Sequence, residues 1–294
     1  MNAPYVLTLV ADPAIAPLTE TLLARLRDAT GGDAPRMLSP AEAAEIPLPA
    51  LPDPGVIRAA LDGAPVDAIA LPAAGRRKRL LIADMDSTIV TGETLDELAD
   101  FAGLKAEIAA ITKRSMNGEL DFAAALRERV AMLRGLPVAA LEETWARVRL
   151  TPGARELVAT MRAHGAVTAL VSGGFTFFTG RVAALVGFDL HRSNVLEHDG
   201  AVLTGIVAEP ILDRDAKRAT LHELRATHGL AAEETLAVGD GANDLAMLRD
   251  AGLGVAFHAK PVVAASVPAR IEHTGLRTLL FAQGYRAAEF VGAA

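Results

Sequence analysis

Cysteine is absent from all 294 residues. That excludes disulfide frameworks, thiolate zinc sites, cysteine nucleophiles and CxxC redox pairs, so any metal must sit on oxygen or histidine. Long apolar runs are also missing, since none approaches the ~18 residues that span a bilayer. The opening stretch MNAPYVLTLVADP has no basic residues ahead of its apolar ones and reaches Asp12 early. It predicts neither a leader nor a membrane segment. Positive charge is in deficit, with 29 Lys and Arg against 36 Asp and Glu and a formal net charge of −7. The surface as a whole therefore offers no footprint for nucleic acid or an anionic membrane, although a local site for a small anion stays open. Walker A, HExxH and GxSxG patterns do not occur, and the seven histidines are scattered, which disfavours P-loop nucleotide hydrolysis, histidine-bound zinc and the serine-hydrolase elbow. These absences predict a soluble, cytoplasmic protein acting on a small molecule, and they leave a homodimer open.

What is present is ample material for a core: 51% of residues are hydrophobic, and the length suits two domains of about 150 residues. Up to residue 76 the pattern reads as a small α+β module. Its strand at Tyr5–Val10, helix at Pro17–Asp28, extended Ile46–Pro52, helix at Pro54–Leu61 and strand at Val66–Leu71 are separated by Pro and Gly. The basic run Arg76-Arg77-Lys78-Arg79 precedes a buried strand and is read as a solvated face. Residues 77–294 differ. Short apolar runs at Leu80–Ala83, Ala166–Val171, Thr235–Val238 and Gly252–Ala256 alternate with helical patterns such as Ala154–Ala163 and Ala216–Arg225. This is the signature of an α/β doubly wound parallel sheet, which binds ligands beyond the carboxyl ends of its strands. The segment 93–150 is amphipathic, helical and too long for one crossover, so it is predicted to be an inserted helical cap. Asp199-Gly200 between β-compatible residues signals a hairpin.

Three strand ends carry polar residues. After the first comes Asp84-Met85-Asp86-Ser87-Thr88, an i, i+2 acid pair that a hard divalent ion such as Mg²⁺ would relieve of its mutual repulsion. The second strand ends in Ser172-Gly173-Gly174, whose hydroxyl and backbone N–H groups suit a small anion ahead of a helix beginning near Phe175. The third ends in Gly239-Asp240-Gly241-Ala242-Asn243-Asp244. Its GxGxxD spacing puts an acid where a dinucleotide fold has glycine, and a carboxylate there would repel a pyrophosphate. Lys217, at a helix start between the second and third strands, is a cation near the same edge.

In this order, Asp84/Asp86/Thr88, Ser172, Lys217 and Asp240/Asp244 resemble the motifs of the haloacid dehalogenase superfamily. Within it, the first run with Glu93 and Asp96-Glu97-Leu98-Ala99, Ser172-Gly173-Gly174-Phe175, and Gly239–Asp244 are similar to the phosphoserine phosphatase family. The resemblance covers about Leu80 to Gly254. It implies Mg²⁺-dependent hydrolysis of O-phospho-L-serine, the last step of L-serine biosynthesis, through an aspartyl-phosphate on Asp84. Asp86 would be acid and then base; Ser172, Gly173, Lys217 and Asn243 would contact the phosphoryl group or substrate. Asp84, Asp240 and the main-chain carbonyl of Asp86 would hold the metal, with Thr88 and Asp244 in support. Glu93 and Arg129 match the positions for the substrate ammonium and carboxylate, with Met116 and Phe122 as an apolar wall. Mn²⁺ or Co²⁺ in place of Mg²⁺ fits the same oxygen ligands. The N-terminal module faintly resembles ACT-like amino-acid-binding domains. The rival readings are a related phosphatase or phosphotransferase on another small phosphorylated hydroxy compound, and an amino-acid sensor.

Overall fold

A computed structural model describes residues 3–116 and 119–292, apart from the side chains of Met116 and Arg214. The chain forms two compact units: residues 1–79, 152–166 and 269–294 make the first, and 80–151 with 167–268 the second.

In the first unit, β1 (Tyr5–Ala11), β2 (Arg36–Ser39), β3 (Ala43–Leu48) and β4 (Val66–Pro72) form a sheet in the order β2-β3-β1-β4. β1 is antiparallel to both neighbours, with Tyr5 opposite Leu48 and Pro72. The helix Glu20–Thr30 starts where Thr19 Oγ1 accepts the Leu22 N–H and stops at Gly31, whose φ of 63° suits a residue without Cβ. Leu22 and Leu26 on that helix and Ile57 on the helix Pro54–Leu61 pack on Leu7, Leu9, Ile46 and Leu48. Two distant segments of the same unit join this module through a buried carboxylate and a half-buried ion-pair group. The carboxylate of Asp67 on β4 accepts hydrogen bonds from the backbone N–H groups of Glu272, His273 and Thr274 and from the Thr274 hydroxyl. The Arg277 guanidinium joins Glu42 and Glu156 at 2.7 and 2.6 Å. Asp67→Ala would leave three N–H donors and a hydroxyl without that acceptor. It is expected to lower the unfolding free energy by about 2–4 kcal/mol in urea titrations; a loss under about 1 kcal/mol would show that other groups hold the C-terminal segment.

The second unit contains β5 (Leu80–Ala83), β6 (Val167–Phe175), β7 (Leu190–Asn194), the hairpin pair β8 (Leu196–His198) and β9 (Leu203–Val207), β10 (Thr235–Gly239) and β11 (Leu253–Phe257). Its main strands are parallel, in the order β11-β10-β5-β6-β7. All four residues of β5 are fully buried, which is why that strand reads as a continuous apolar run. The chain passes from β5 to β6 on one side, whereas β10 lies on the other. The order therefore reverses at β5, and the loops after β5 and β10 diverge around a crevice at the carboxyl edge.

Between β5 and β6 lie the helices Thr94–Asp100, Lys105–Met116, Phe122–Ala131 and Ala139–Arg147. They match the expected cap. The Thr91 N–H donates to the Arg149 carbonyl and Val90 bridges Leu150, so the insertion enters and leaves through paired chains. The predicted hairpin also forms, with Asp199 Oδ1 accepting from Ala201 and Val202 N–H and Gly200 at φ 100°. It braces the cap, because Gly135 and Val138 donate to the Leu203 and Ala201 carbonyls.

Ser172-Gly173-Gly174 lies at the end of β6, and the helix starts at Thr176, next to the expected Phe175. The extended form persists because side chains satisfy the backbone there. Ser172 Oγ accepts from Gly174 N–H at 2.9 Å, and Asn194 Nδ2 donates to the Gly173 carbonyl at 2.8 Å.

Candidate active site

Asp84 follows β5 directly, and its N–H donates to Val238 on β10, so the sheet itself fixes this residue. Its Oδ1 accepts from Met85 N–H at 2.7 Å and faces the Lys217 ammonium at 2.8 Å. The next residues form a tight loop in which Ser87 takes φ 54°, a left-handed conformation costing a non-glycine residue roughly 1–2 kcal/mol. Two contacts offset that cost: Ser87 N–H donates to the Gly92 carbonyl, and Ser87 Oγ donates to Glu93 Oε1 at 2.6 Å. The same loop turns Asp86 so that its Oδ1 accepts the Thr94 N–H at 2.8 Å, at the start of the first cap helix.

Below Asp84 is a buried charge cluster. Lys217, in the first turn of the helix Arg214–His228, reaches Asp84 Oδ1 at 2.8 Å and Asp244 Oδ1 at 2.7 Å with almost no exposure. Asp244 Oδ2 accepts from Gly241 N–H, closing the loop after β10. A Cβ on Gly239 would lie 2.4 Å from the Asp244 carboxyl carbon, so only glycine admits this acid against the strand. Asp240 is 1% exposed, yet neither carboxylate oxygen has a well-formed hydrogen bond among the described residues; the Lys260 ammonium lies 3.3 Å away as an ion pair.

Burial dominates the titration of these groups. It raises the Asp84 carboxyl well above its ordinary range, with Asp244 adding to the shift and Lys217 opposing it. It pushes Asp86 up to about 7, reinforced by the neighbouring Glu93 carboxylate. It pushes Asp240 up to about 7 as well, with Glu93 and Asp244 adding and Lys260 opposing. Burial works against the charge on Lys217, but Asp244 and Asp84 more than offset it and hold the ammonium above its ordinary range.

One cavity gathers most of the residues singled out in the sequence. Asp84, Asp86, Glu93, Phe122, Arg129, Ser172, Gly173 and Asn243 line it, together with Leu95, Leu126, Gly174 and Phe175. Phe122 caps Gly173 so closely that a Cβ there would lie 2.5 Å from the ring. Lys217, Asp240 and Asp244 are not lining residues; they support the floor around Asp84. Thr88 is buried beside them with its hydroxyl unpartnered among the described residues, as is the Asn243 side-chain oxygen. The side chain of Met116 lies outside the described residues. Buried oxygens of Thr88, Asp240 and Asn243 that make no hydrogen bond among the described residues gather at one strand edge, as the polar groups of a ligand site do.

The carboxylates also suit a cation. Oxygens of Asp84, Asp240 and Asp244 lie within 4.8 Å of one another, an all-oxygen set matched to a hard divalent ion. Three residues with a part here were not singled out from sequence. Asn194 holds Gly173, Lys260 pairs with Asp240, and Ser87 ties the loop after β5 to Glu93. Only the last carried a local signal, a serine inside the acidic motif.

A family model for haloacid dehalogenase-like hydrolases matches residues 81–249. Among curated relatives, a phosphoserine phosphatase of Polaromonas sp. is 47% identical over 208 residues, covering 69% of this chain and 88% of that protein. A phosphoserine phosphatase of Archaeoglobus fulgidus is 46% identical over 188 residues, covering 64% of this chain and 55% of that one, so the match spans about half the relative's length. A crystal structure of a hydrolase of the same family from Salmonella enterica subsp. enterica serovar Typhi has a TM-score of 0.83. It is 33% identical and covers 94% of this chain and 97% of its own.

Proposed function

The chain belongs to the haloacid dehalogenase-like hydrolase family, and we propose that it hydrolyses O-phospho-L-serine to L-serine and phosphate with Mg²⁺, in the cytoplasm, as the closing step of serine formation. One observation carries this reading: a single cavity presents Asp84, Asp86 and Ser172 for phosphoryl transfer and, beside them, one acid and one base, Glu93 and Arg129. Phosphoserine has an ammonium and a carboxylate besides its phosphate, and a buried pocket that accepts both must supply a partner for each.

In this reading the Oδ1 contacts to Met85 N–H and Lys217 orient Asp84, whose carboxylate attacks phosphorus while the ester P–O bond breaks. Asp86 gives its proton to the departing seryl oxygen. A carboxyl pushed up to about 7 carries that proton near neutrality and can then take one from water. The activated water attacks phosphorus of the aspartyl-phosphate, releasing phosphate and restoring Asp84. Ser172 and Gly173 hold the phosphoryl oxygens, with the Gly174 N–H fixing Ser172 Oγ, and Asn243 supplies a further polar contact. Lys217 balances Asp84 and Asp244 from below. Asp84, Asp240 and the main-chain carbonyl of Asp86 would hold the cation, which when bound neutralises phosphoryl charge and favours the ionised nucleophile. Phe122, seated on Gly173, closes the apolar side of the pocket against water.

The test is kcat/KM for phosphate release from phosphoserine, phosphothreonine, phosphoethanolamine, glycerol phosphate and p-nitrophenyl phosphate. The expected result is a preference for phosphoserine of at least about a hundredfold, worth roughly 2.7 kcal/mol of differential transition-state binding. A flat profile would keep the phosphohydrolase and discard the substrate. No turnover on any ester would favour ligand sensing over catalysis.

A further inference from the structure

Arg129 is 4% exposed, and burial disfavours its charge, yet no carboxylate lies within ion-pair distance among the described residues. Its Nε donates to the Ala125 carbonyl one turn back at 3.2 Å, which fixes the stem along its own helix. Its Nη1 donates to Thr112 Oγ1 at 2.9 Å, on the neighbouring cap helix Lys105–Met116. Thr112 Oγ1 lies 2.7 Å from Asp96 Oδ1, on the helix Thr94–Asp100, and 3.0 Å from the Ile108 carbonyl. A hydroxyl has one proton. While its oxygen accepts from the guanidinium, the proton goes preferentially to the nearer, charged acceptor. The result is a relay from guanidinium to hydroxyl to carboxylate that joins three cap helices and leaves Arg129 Nη2 without a hydrogen bond among the described residues.

An acid in direct contact would fix Arg129 equally well, but it would neutralise the charge that an incoming carboxylate needs. A threonine between them orients the fork and keeps its charge available. Thr112 is itself buried and is not among the residues lining the cavity.

We propose that Thr112, backed by Asp96, is a positioning residue that sets selectivity for phosphate esters bearing a carboxylate. This rests on the phosphoserine reading of the same cavity. The experiment compares wild type, Thr112→Val, Thr112→Ser and Asp96→Asn on phosphoserine and on phosphoethanolamine, which lacks the carboxylate. Thr112→Val keeps the shape and removes the hydroxyl. It is expected to raise KM for phosphoserine about tenfold, the scale of one lost hydrogen bond to a charged group, with kcat changed by less than about twofold. Both constants for phosphoethanolamine stay within about twofold of wild type, and Thr112→Ser restores the wild-type KM. Asp96→Asn, which keeps the volume, gives a smaller rise of the same kind. Equal losses on both esters would assign Thr112 to cap folding and overturn the proposal, as would an unchanged phosphoserine KM in Thr112→Val. A wild type that does not prefer phosphoserine would overturn the substrate reading and this proposal with it, whereas a selective wild type with an equally selective Thr112→Val overturns the proposal alone.

Discussion

Asp84→Asn is expected to lower phosphate release from the preferred ester by on the order of ten-thousandfold or more, while the protein stays folded. An amide has nearly the shape of the carboxylate but cannot form the aspartyl-phosphate. Its oxygen still accepts the Met85 N–H at the position of Oδ1 and still faces Lys217, so the loop after β5 keeps its geometry. The electrostatics favour the variant: Asp244 and Asp240 both repel a charge at position 84, and Asp244 still pairs with Lys217 once that charge is gone. Stability should therefore be equal to wild type or higher, so the loss cannot be ascribed to misfolding. Turnover by phosphate release and thermal unfolding by circular dichroism, measured on the same preparation, check both halves. Activity within about tenfold of wild type would mean that another group attacks phosphorus.

The parts of this site legible in the sequence are those fixed by strand ends. β5 is four apolar residues and then an acid, and a strand buried on both faces delivers the residues after it to the sheet edge regardless of distant partners. The loop after β10 is legible for the same reason, and Gly239 and Gly241 mark its tight approach. The cap is visible as amphipathic helices between two strands. The relay through Asp96 and Thr112 is not, because it depends on which faces of three separate helices meet. Threonine in the middle of a helix gives no sign whether its hydroxyl returns to its own backbone or serves a neighbour. The grouping of residues 152–166 and 269–294 with the N-terminal module is hidden likewise. It depends on contacts such as Asp67 with the N–H groups of 272–274, more than two hundred residues apart in sequence. At the end of β6, serine and two glycines favour a turn locally; the tertiary partner Asn194 holds the segment extended.

Chelation should expose the electrostatic cost of the acidic floor, with a definite sign in pH. Asp86 and Asp240 are each pushed up to about 7 when folded, against about 3.9 in an unfolded chain. A carboxyl whose folded value is the higher one binds more protons folded than unfolded across that interval. Its stabilising contribution is complete below the unfolded value and is lost as pH rises through the folded one. The metal-free protein is therefore expected to be less stable at pH 8 than at pH 5. Each group can contribute at most about 1.4 kcal/mol per pH unit. Because the carboxylates repel one another, their shares do not sum, and the expected total is about 2–4 kcal/mol, read as a lower denaturant midpoint at constant slope. Mg²⁺ at a hundredfold excess over its dissociation constant should return about 2.7 kcal/mol at pH 8. It should return much less at pH 5, where the ion must displace protons from the same oxygens. Asp240→Asn separates this account from a general effect of charge. The variant should lose both part of the alkaline destabilisation and most of the response to Mg²⁺, because Asp240 is the member of the cluster whose two oxygens lack well-formed hydrogen bonds among the described residues. A flat pH profile in chelator, or equal stabilisation by Mg²⁺ at both pH values, would show that these carboxylates are not the groups the cation relieves.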